Sequence, residues 1–314
     1  MKTRIILALT IAIANSTLAQ QVLYCSGTVR HPSGAPAPGV LVEYYPGHHD
    51  GAGHYAEVRT DAKGRYEIIG QKDMAKYEGE IIETNSIMAR DVEKNLAAVQ
   101  EFHMRTTNVD LVLQPAITVS GSVQDTEGAP IIGAELDLGF LASRSNHRVE
   151  AHRTKVNESG QFSVSALPQG RGYEIWYIAA IGYGSSNARV EAKDTQTNRY
   201  EFPAFVLKRA NLKIAGRVLD EAGKPLAEAE VYFMGKGQPM NSEDKWSQQP
   251  WCNTKTDSEG KFSFDTVCDA PLRVYADYHD PHDWRISTHL NGGGGTPAHA
   301  GDTNIVIRLP PLNK

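Results

Sequence analysis

Gly27-Thr28-Val29-Arg30-His31-Pro32-Ser33-Gly34-Ala35-Pro36 is the stretch on which the fold turns, because the chain writes it three times. It returns as Gly121-Ser122-Val123-Gln124-Asp125-Thr126-Glu127-Gly128-Ala129-Pro130, and again from Gly216-Arg217-Val218 to Gly223-Lys224-Pro225. The copies start 94 and 95 residues apart. A long, regular period of this kind marks a repeated structural unit.

Each copy reads as short strands separated by turn chemistry. Asp at the head of the turn (Asp125, Asp220) suits backbone N–H groups, Gly accepts a positive φ, and Pro then holds the chain extended. Val40 to Tyr44, Ala134 to Leu138 and Ala229 to Phe233 follow with the period-two alternation of a half-buried strand. A second shared turn comes next: Thr60-Asp61-Ala62-Lys63-Gly64-Arg65-Tyr66, Val156-Asn157-Glu158-Ser159-Gly160-Gln161-Phe162, and Thr256-Asp257-Ser258-Glu259-Gly260-Lys261-Phe262. Asp or Asn three residues before Gly, with an aromatic two after it, predicts a hairpin whose first buried residue lies just past the loop. Each copy closes with a strand, expected at Asn108 to Leu113, Glu201 to Leu207 and Thr303 to Leu309. Helix-period patterns are almost absent, so the fold class is all-β, with three tandem antiparallel seven-stranded sandwiches.

G-x-V with G-x-P, then T-D-x-x-G-x-F/Y, resembles the carboxypeptidase regulatory-like domain in all three copies, across nearly the whole chain after its leader. The middle copy departs from the pattern at Val156-Asn157. The resemblance implies transthyretin-like (Ig-like) sandwich modules, grouped with carbohydrate-binding-like folds, that serve as accessory, adhesive or spacer units. Its motifs are turn and core residues, and a fold alone assigns no chemistry.

The chain has 314 residues. Met1-Lys2-Thr3-Arg4, the apolar run Ile5 to Ala14 and the small residues to Ala19 form a signal-peptide pattern, with cleavage expected after Ala19. The run falls short of the ~20 apolar residues a bilayer span needs, and no later segment reaches that length. Tyr24 before Cys25 argues against a lipid anchor there. The expected division is therefore a signal peptide at 1–19 and modules at 20–116, 117–210 and 211–314. The linkers at Pro115-Ala116 and Lys208-Arg209-Ala210 are short. The product is expected in the periplasm, outside the cell or at its surface, with no transmembrane segment after cleavage. The net charge is −5 with both signs scattered, which excludes the clustered cations that phosphate backbones require.

Three groups of residues are candidates for chemistry. His48, His49 and His54, with Asp50, and His279 and His282, with Asp280 and Asp283, offer imidazole and carboxylate of the kind that binds zinc or copper; a solvated polar turn is the plainer reading of each. Trp246 and Trp251, with Asn241 and Asp244, lie in an enlarged loop where indole faces would stack on sugar rings and polar groups orient hydroxyls; packing over a sheet edge is the plainer reading. Cys252 and Cys268 bracket the turn Asp257 to Gly260, and in an oxidising compartment a bridge worth on the order of 3 kcal/mol is favoured over two reduced thiols. Cys25 has no evident partner.

No catalytic set stands out. The Gly292 to Gly295 run lacks the Lys-Ser/Thr of a phosphate loop, and no Gly-x-Ser-x-Gly elbow occurs. The Tyr-Arg-Gly-Ser tail of hydroxyisourate hydrolases is missing, as is the late His-x-His pair of intradiol dioxygenases. The sequence reads as an exported, non-enzymatic repeat protein for binding, adhesion or spacing, without a cofactor and with a protein or glycan partner left unidentified. A carbohydrate-binding protein using the loop tryptophans is the alternative, and a metal-dependent enzyme using the His-rich loops is the second.

Overall fold

The computed structural model describes residues 21–46, 56–71, 84–103, 105–141, 148–235, 249–250, 252–280, 283–289 and 295–311. The first third contributes β1 (Gln21–Arg30), β2 (Leu41–Tyr45), β3 (Ala56–Arg59), β4 (Arg65–Gln71), β5 (Thr84–Asp91), β6 (Leu96–His103) and β7 (Leu111–Val112). The middle contributes β8 (Gln114–Asp125), β9 (Glu135–Leu141), β10 (Arg148–Lys155), β11 (Gln161–Pro168), β12 (Tyr173–Ala179), β13 (Ser185–Val190), β14 (Arg199–Glu201) and β15 (Phe205–Leu207). The last contributes β16 (Ala210–Leu219), β17 (Glu230–Gly235), β18 (Asn253–Lys255), β19 (Lys261–Cys268), β20 (Leu272–Asp280), β21 (Asp283–His289), β22 (Thr296–Ala298) and β23 (Ile305–Arg308). Among the described residues the only helical turn is a 3-10 piece at Ala192–Thr195.

The same plan recurs in each third. One sheet is built on the opening strand, in the orders β4-β1-β7 and β19-β16-β23, with β8 paired to β11, β14 and β15. The facing sheet runs β3-β2-β5-β6, β10-β9-β12-β13 and β18-β17-β20-β21. The all-β sandwich reading therefore holds, with one refinement. The closing strand pairs parallel to the opening strand in every third, because the chain returns to it by way of the opposite sheet. The closing strands are also shorter than the sequence suggests. Leu111–Val112 is the strand that forms in the first, with Asn108 joined to Ser26 by an isolated bridge, and Pro203, which lacks an N–H donor, separates β14 from β15 in the second.

The repeated residues explain the repeated shape. Asp61 Oδ1 accepts from the backbone N–H of Lys63 and Arg65 at 2.8 and 2.9 Å. Asn157 does the same for Ser159 and Gln161 at 2.9 Å each, and Asp257 for Glu259 and Lys261 at 2.8 and 2.9 Å. The glycine three residues on has φ of 73°, 73° and 69° in the three turns, which an L side chain rarely adopts. Thr60 Oγ1 donates to the Ala37 carbonyl at 2.6 Å and accepts from Val40 N–H at 2.9 Å, and Thr256 repeats the pair with Leu226 and Ala229. Val156 has no hydroxyl for this bond and is buried instead. Gly27 and Gly216 answer a different need: a Cβ there would stand 1.9 Å from the Val109 carbonyl oxygen and 2.2 Å from that of Ile305.

Three apolar cores result. One holds Val29, Val42, Ile68, Ile87 and Leu113; another holds Ile214, Val231, Phe262, Val274 and Ile307. The middle core, around Leu136, Phe140, Phe162, Tyr173 and Ile178, also takes in Tyr45 and Met88 from the first third. Burial thus runs across the boundary between the first and second cores.

Candidate functional site

Most of the residues that the sequence offers for chemistry fall outside the described residues: His48, His49, His54, Asn241, Asp244, Trp246, Trp251 and His282. His279 is described, exposed near the end of β20 and opposite Ser287 of β21. Among the described residues, no three His, Cys, Asp or Glu come together in a way that would hold a metal ion.

The bridge expected between Cys252 and Cys268 is absent, and both are free thiols, as is Cys25. The register between β16 and β19 slips between the pairs Leu212–Val267 and Ile214–Phe264. Cys268 Sγ faces the Lys208 carbonyl at 3.5 Å, whereas Cys252 Sγ lies 3.9 Å from Thr266 Oγ1. Burial pushes the Cys25 thiol up to about 12 and that of Cys268 to about 11, so both are protonated and poor nucleophiles near neutral pH.

What the structure does assemble is a pair of junctions and a cleft. At the first junction, Pro115 and Ala116 are inside a strand: β8 continues through them and pairs with β6 at Leu96–Pro115 and Ala97–Gln114. Asn95 seals the corner. Its Nδ2 donates to the Ala116 carbonyl at 3.1 Å, its carbonyl accepts from Ala116 N–H at 3.0 Å, and its Oδ1 accepts from Ala166 N–H at 2.8 Å. Arg90 reaches over the same corner. Its Nη2 and Nε donate to the carbonyls of Ser165 and Ala166 at 2.9 and 3.2 Å, and its Nη1 stands 3.7 Å from Glu43 Oε2. Both side chains of this pair are buried. Arg171 and Glu101 add an ion pair at 3.3 Å.

The second junction is held by backbone. Ala210 N–H donates to the Gly182 carbonyl at 2.8 Å and Gly184 N–H to that of Lys208 at 2.9 Å, with Tyr183 and Arg209 bridged between them. The Arg209 guanidinium covers the Tyr183 ring at 5.7 Å and donates to Asp125 Oδ2 at 3.0 Å. Buried Gln249 pins the far side: its Nε2 donates to the Cys268 and Ala270 carbonyls, its Oε1 accepts from Cys268 N–H, and its own carbonyl accepts from Ser185 Oγ at 2.8 Å.

Beside Gln249 the second and third cores leave a cleft of about 360 Å³. Trp176, Tyr177, Ser185 and Ser186 line it from β12 and β13; Glu230, Tyr232 and Met234 of β17, Asn253 of β18 and Asp277 of β20 line it from the other side. Val231 and Phe233 point into the core, so alternation turns Glu230, Tyr232 and Met234 outward. Trp176 is the extra residue of a bulge, because β12 and β9 pair at Ile175–Leu138 and next at Tyr177–Asp137; a bulge re-aims a side chain in this way. Tyr232 stacks on Tyr275 with ring centres 5.3 Å apart and planes 8° from parallel. Burial raises the Tyr232 hydroxyl pKa, and the neighbouring Asp277 carboxylate raises it further. Sequence reading picked out none of these residues, since neither the bulge nor the approach of two distant sheets is written in local spacing.

No family model and no curated protein sequence matches the chain. Solved structures similar to it include the Bacillus anthracis TIE protein, at 14% identity and TM-score 0.27 over 92% of this chain and 50% of that one. Another is the Streptococcal ancillary pilin, at 10% identity and TM-score 0.33 over 94% and 100%. A third is the shaft pilin SpaA from Lactobacillus rhamnosus GG, at 11% identity and TM-score 0.28 over 61% and 98%. The chain covers half the length of the first of these. Each is a likeness of fold.

Proposed function

We propose that the chain is an exported, non-enzymatic array of three carboxypeptidase regulatory-like modules (residues 20–116, 117–210 and 211–314, behind a signal peptide at 1–19). It acts as a stiff binding or spacer element in the periplasm or at the cell surface. The observation that carries this reading is the construction of the junctions. Loosely tethered modules are joined by exposed, polar linkers; here the connecting residues are strand residues or backbone-bonded residues, and Arg90, Asn95, Arg209 and Gln249 fasten both sides. Stiffness fixes the distance and orientation between surfaces at the two ends, and weak contacts on several modules then add. Among the described residues no helix is long and apolar enough to cross a membrane.

Expression with the leader intact tests both halves of the reading. The product is expected outside the cytoplasm, with a mass that matches cleavage after Ala19, and its small-angle scattering should fit one rigid particle. Cytoplasmic retention of the uncleaved chain, or scattering that demands independently tumbling modules, contradicts it.

A further inference from the structure

Both junctions are made in the same way. The start of an opening strand meets the turn of the late hairpin in the preceding repeat. Ala116 of β8 donates its N–H to the Asn95 carbonyl, between β5 and β6, at 3.0 Å, and Ala210 of β16 donates to the Gly182 carbonyl, between β12 and β13, at 2.8 Å. The end of the strand beside it completes the contact. The Ser165 and Ala166 carbonyls of β11 accept from Arg90, and Gln249, bonded to Cys268 at the end of β19, accepts from Ser185 of β13.

Each repeat carries an aliphatic pair close to this end. Leu23, Ile117 and Leu212 stand four residues before the repeated glycine, and their partners across the ladder are Ile69, Leu167 and Val267. In the second repeat both are fully buried, in a core that also takes in Tyr45 and Met88 of the first. In the third, Val267 is buried and Leu212 is 37% exposed. In the first, both stand open, Leu23 at 46% and Ile69 at 48%. The ladder slips between Leu23 and Cys25, so Cys25 and Ile68 are fully buried while the pair beyond them turns outward. Single exposed aliphatics are ordinary on a surface. Two in direct cross-strand register are the opposite of the polar face on which a stack of repeats is capped.

Residues 1–314 hold three repeats; two of the three opening ends sit on a preceding hairpin, and the first has none within these residues. The late hairpin of the third repeat, β20–β21, holds the place of β5–β6 and β12–β13 in its sheet. The strands after it, β22 and β23, pair back into the third repeat. We propose that the opening end of the first repeat, with Leu23 and Ile69, seats on the β20–β21 hairpin of a second molecule. The contact repeats between molecules what β8 and β16 make within one. Its two surfaces differ, so each added molecule leaves one of each open, and growth runs to a filament or a ring. The inference goes beyond a spacer of fixed length, and it rests on the repeat plan and not on export.

Sedimentation velocity of the full mature chain, from dilute to near-millimolar concentration, tests it. The average mass should rise past that of a dimer. Leu23→Glu with Ile69→Glu sets two charges on the contact and should weaken association about tenfold or more. If the glutamates lower the unfolding midpoint, Leu23→Thr with Ile69→Thr, suited to a strand, takes their place. The double variant keeps its own β20–β21 hairpin, so in excess it should cap the unaltered chain at one end and shorten the assemblies. A monomer at every concentration, equal association of the variant, or dimers on which the variant has no effect overturns the proposal. A rigid, exported monomer would leave the spacer reading standing, whereas independently tumbling modules would remove that reading without altering the mass.

Discussion

Ala166 donates its backbone N–H to Asn95 Oδ1 at 2.8 Å, and both residues hold left-handed backbone, with φ of 56° and 49°. Outside glycine this conformation costs roughly 1 kcal/mol and persists where surroundings over-determine it. Here each residue fixes the other across the first junction. Asn95→Ala loses the side-chain bonds to Ala116 and Ala166 and strands a half-buried N–H, so it should destabilise the fold by about 2–3 kcal/mol. Ala166→Gly should be neutral or mildly stabilising, against the usual cost of about 0.5–1 kcal/mol for such a change within a strand. Urea denaturation measures both.

Arg90 and Glu43 form the buried ion pair of the same corner. Arg90→Met removes one partner and leaves a carboxylate without its cation, for a loss of about 3–5 kcal/mol. A double change, Arg90→Met with Glu43→Leu, should recover much of that loss, because no charge is then left buried. A double-mutant cycle by chemical denaturation reads the coupling.

Among the described residues Glu228 is the third left-handed non-glycine residue, with φ of 61°. It occupies the place held in the other copies by Gly39 and Gly133, at φ of 73° and 70°. Its ion pair with Lys255 is exposed and adds little. Glu228→Gly is therefore expected to raise stability by about 0.5–1 kcal/mol, visible as a higher midpoint in thermal or urea unfolding.

Backbone N–H groups, those of Arg65 and Lys261 above all, hold the Asp61 and Asp257 carboxyls below their usual range. A carboxyl depressed in the folded state stabilises the fold above its unfolded value, near 3.9, and loses that contribution as pH falls through the folded value. Stability should therefore fall in acid, below about pH 4. Asp61→Asn with Asp257→Asn keeps the Oδ1 acceptor, as Asn157 already does in the middle copy, and should flatten that acid limb in stability measured against pH.

The turns were legible in the sequence because they are local, but the hairpin expected at the second one is a crossover: β3 and β4, β10 and β11, and β18 and β19 lie in different sheets. Asp61, Asn157 and Asp257 bond within four residues of themselves, and the glycines that follow take the backbone shape their spacing implied. The junctions were not legible. Pro115-Ala116 reads as a linker by composition, yet its neighbours across space, Leu96 and Asn95, make it part of a strand. Arg90 finds its carbonyls 75 and 76 residues away, a distance over which local pattern carries no information. Cys252 and Cys268 have the spacing of a hairpin pair, but β18 pairs with β17 and β19 with β16, so the turn between them crosses from one sheet to the facing one and the two thiols meet different neighbours. The cleft depended on the bulge at Trp176 and on two sheets from different copies, so no single motif could announce it.

The distance between the first and third cores tests the central claim most directly. Non-cysteine spin labels at exposed Ser33 and Glu221 would report it by pulsed dipolar spectroscopy. Fused junctions predict one narrow distance distribution that broadens when Arg90 and Asn95 are both replaced by alanine. A broad distribution in the unaltered chain, unchanged by those replacements, would contradict the account.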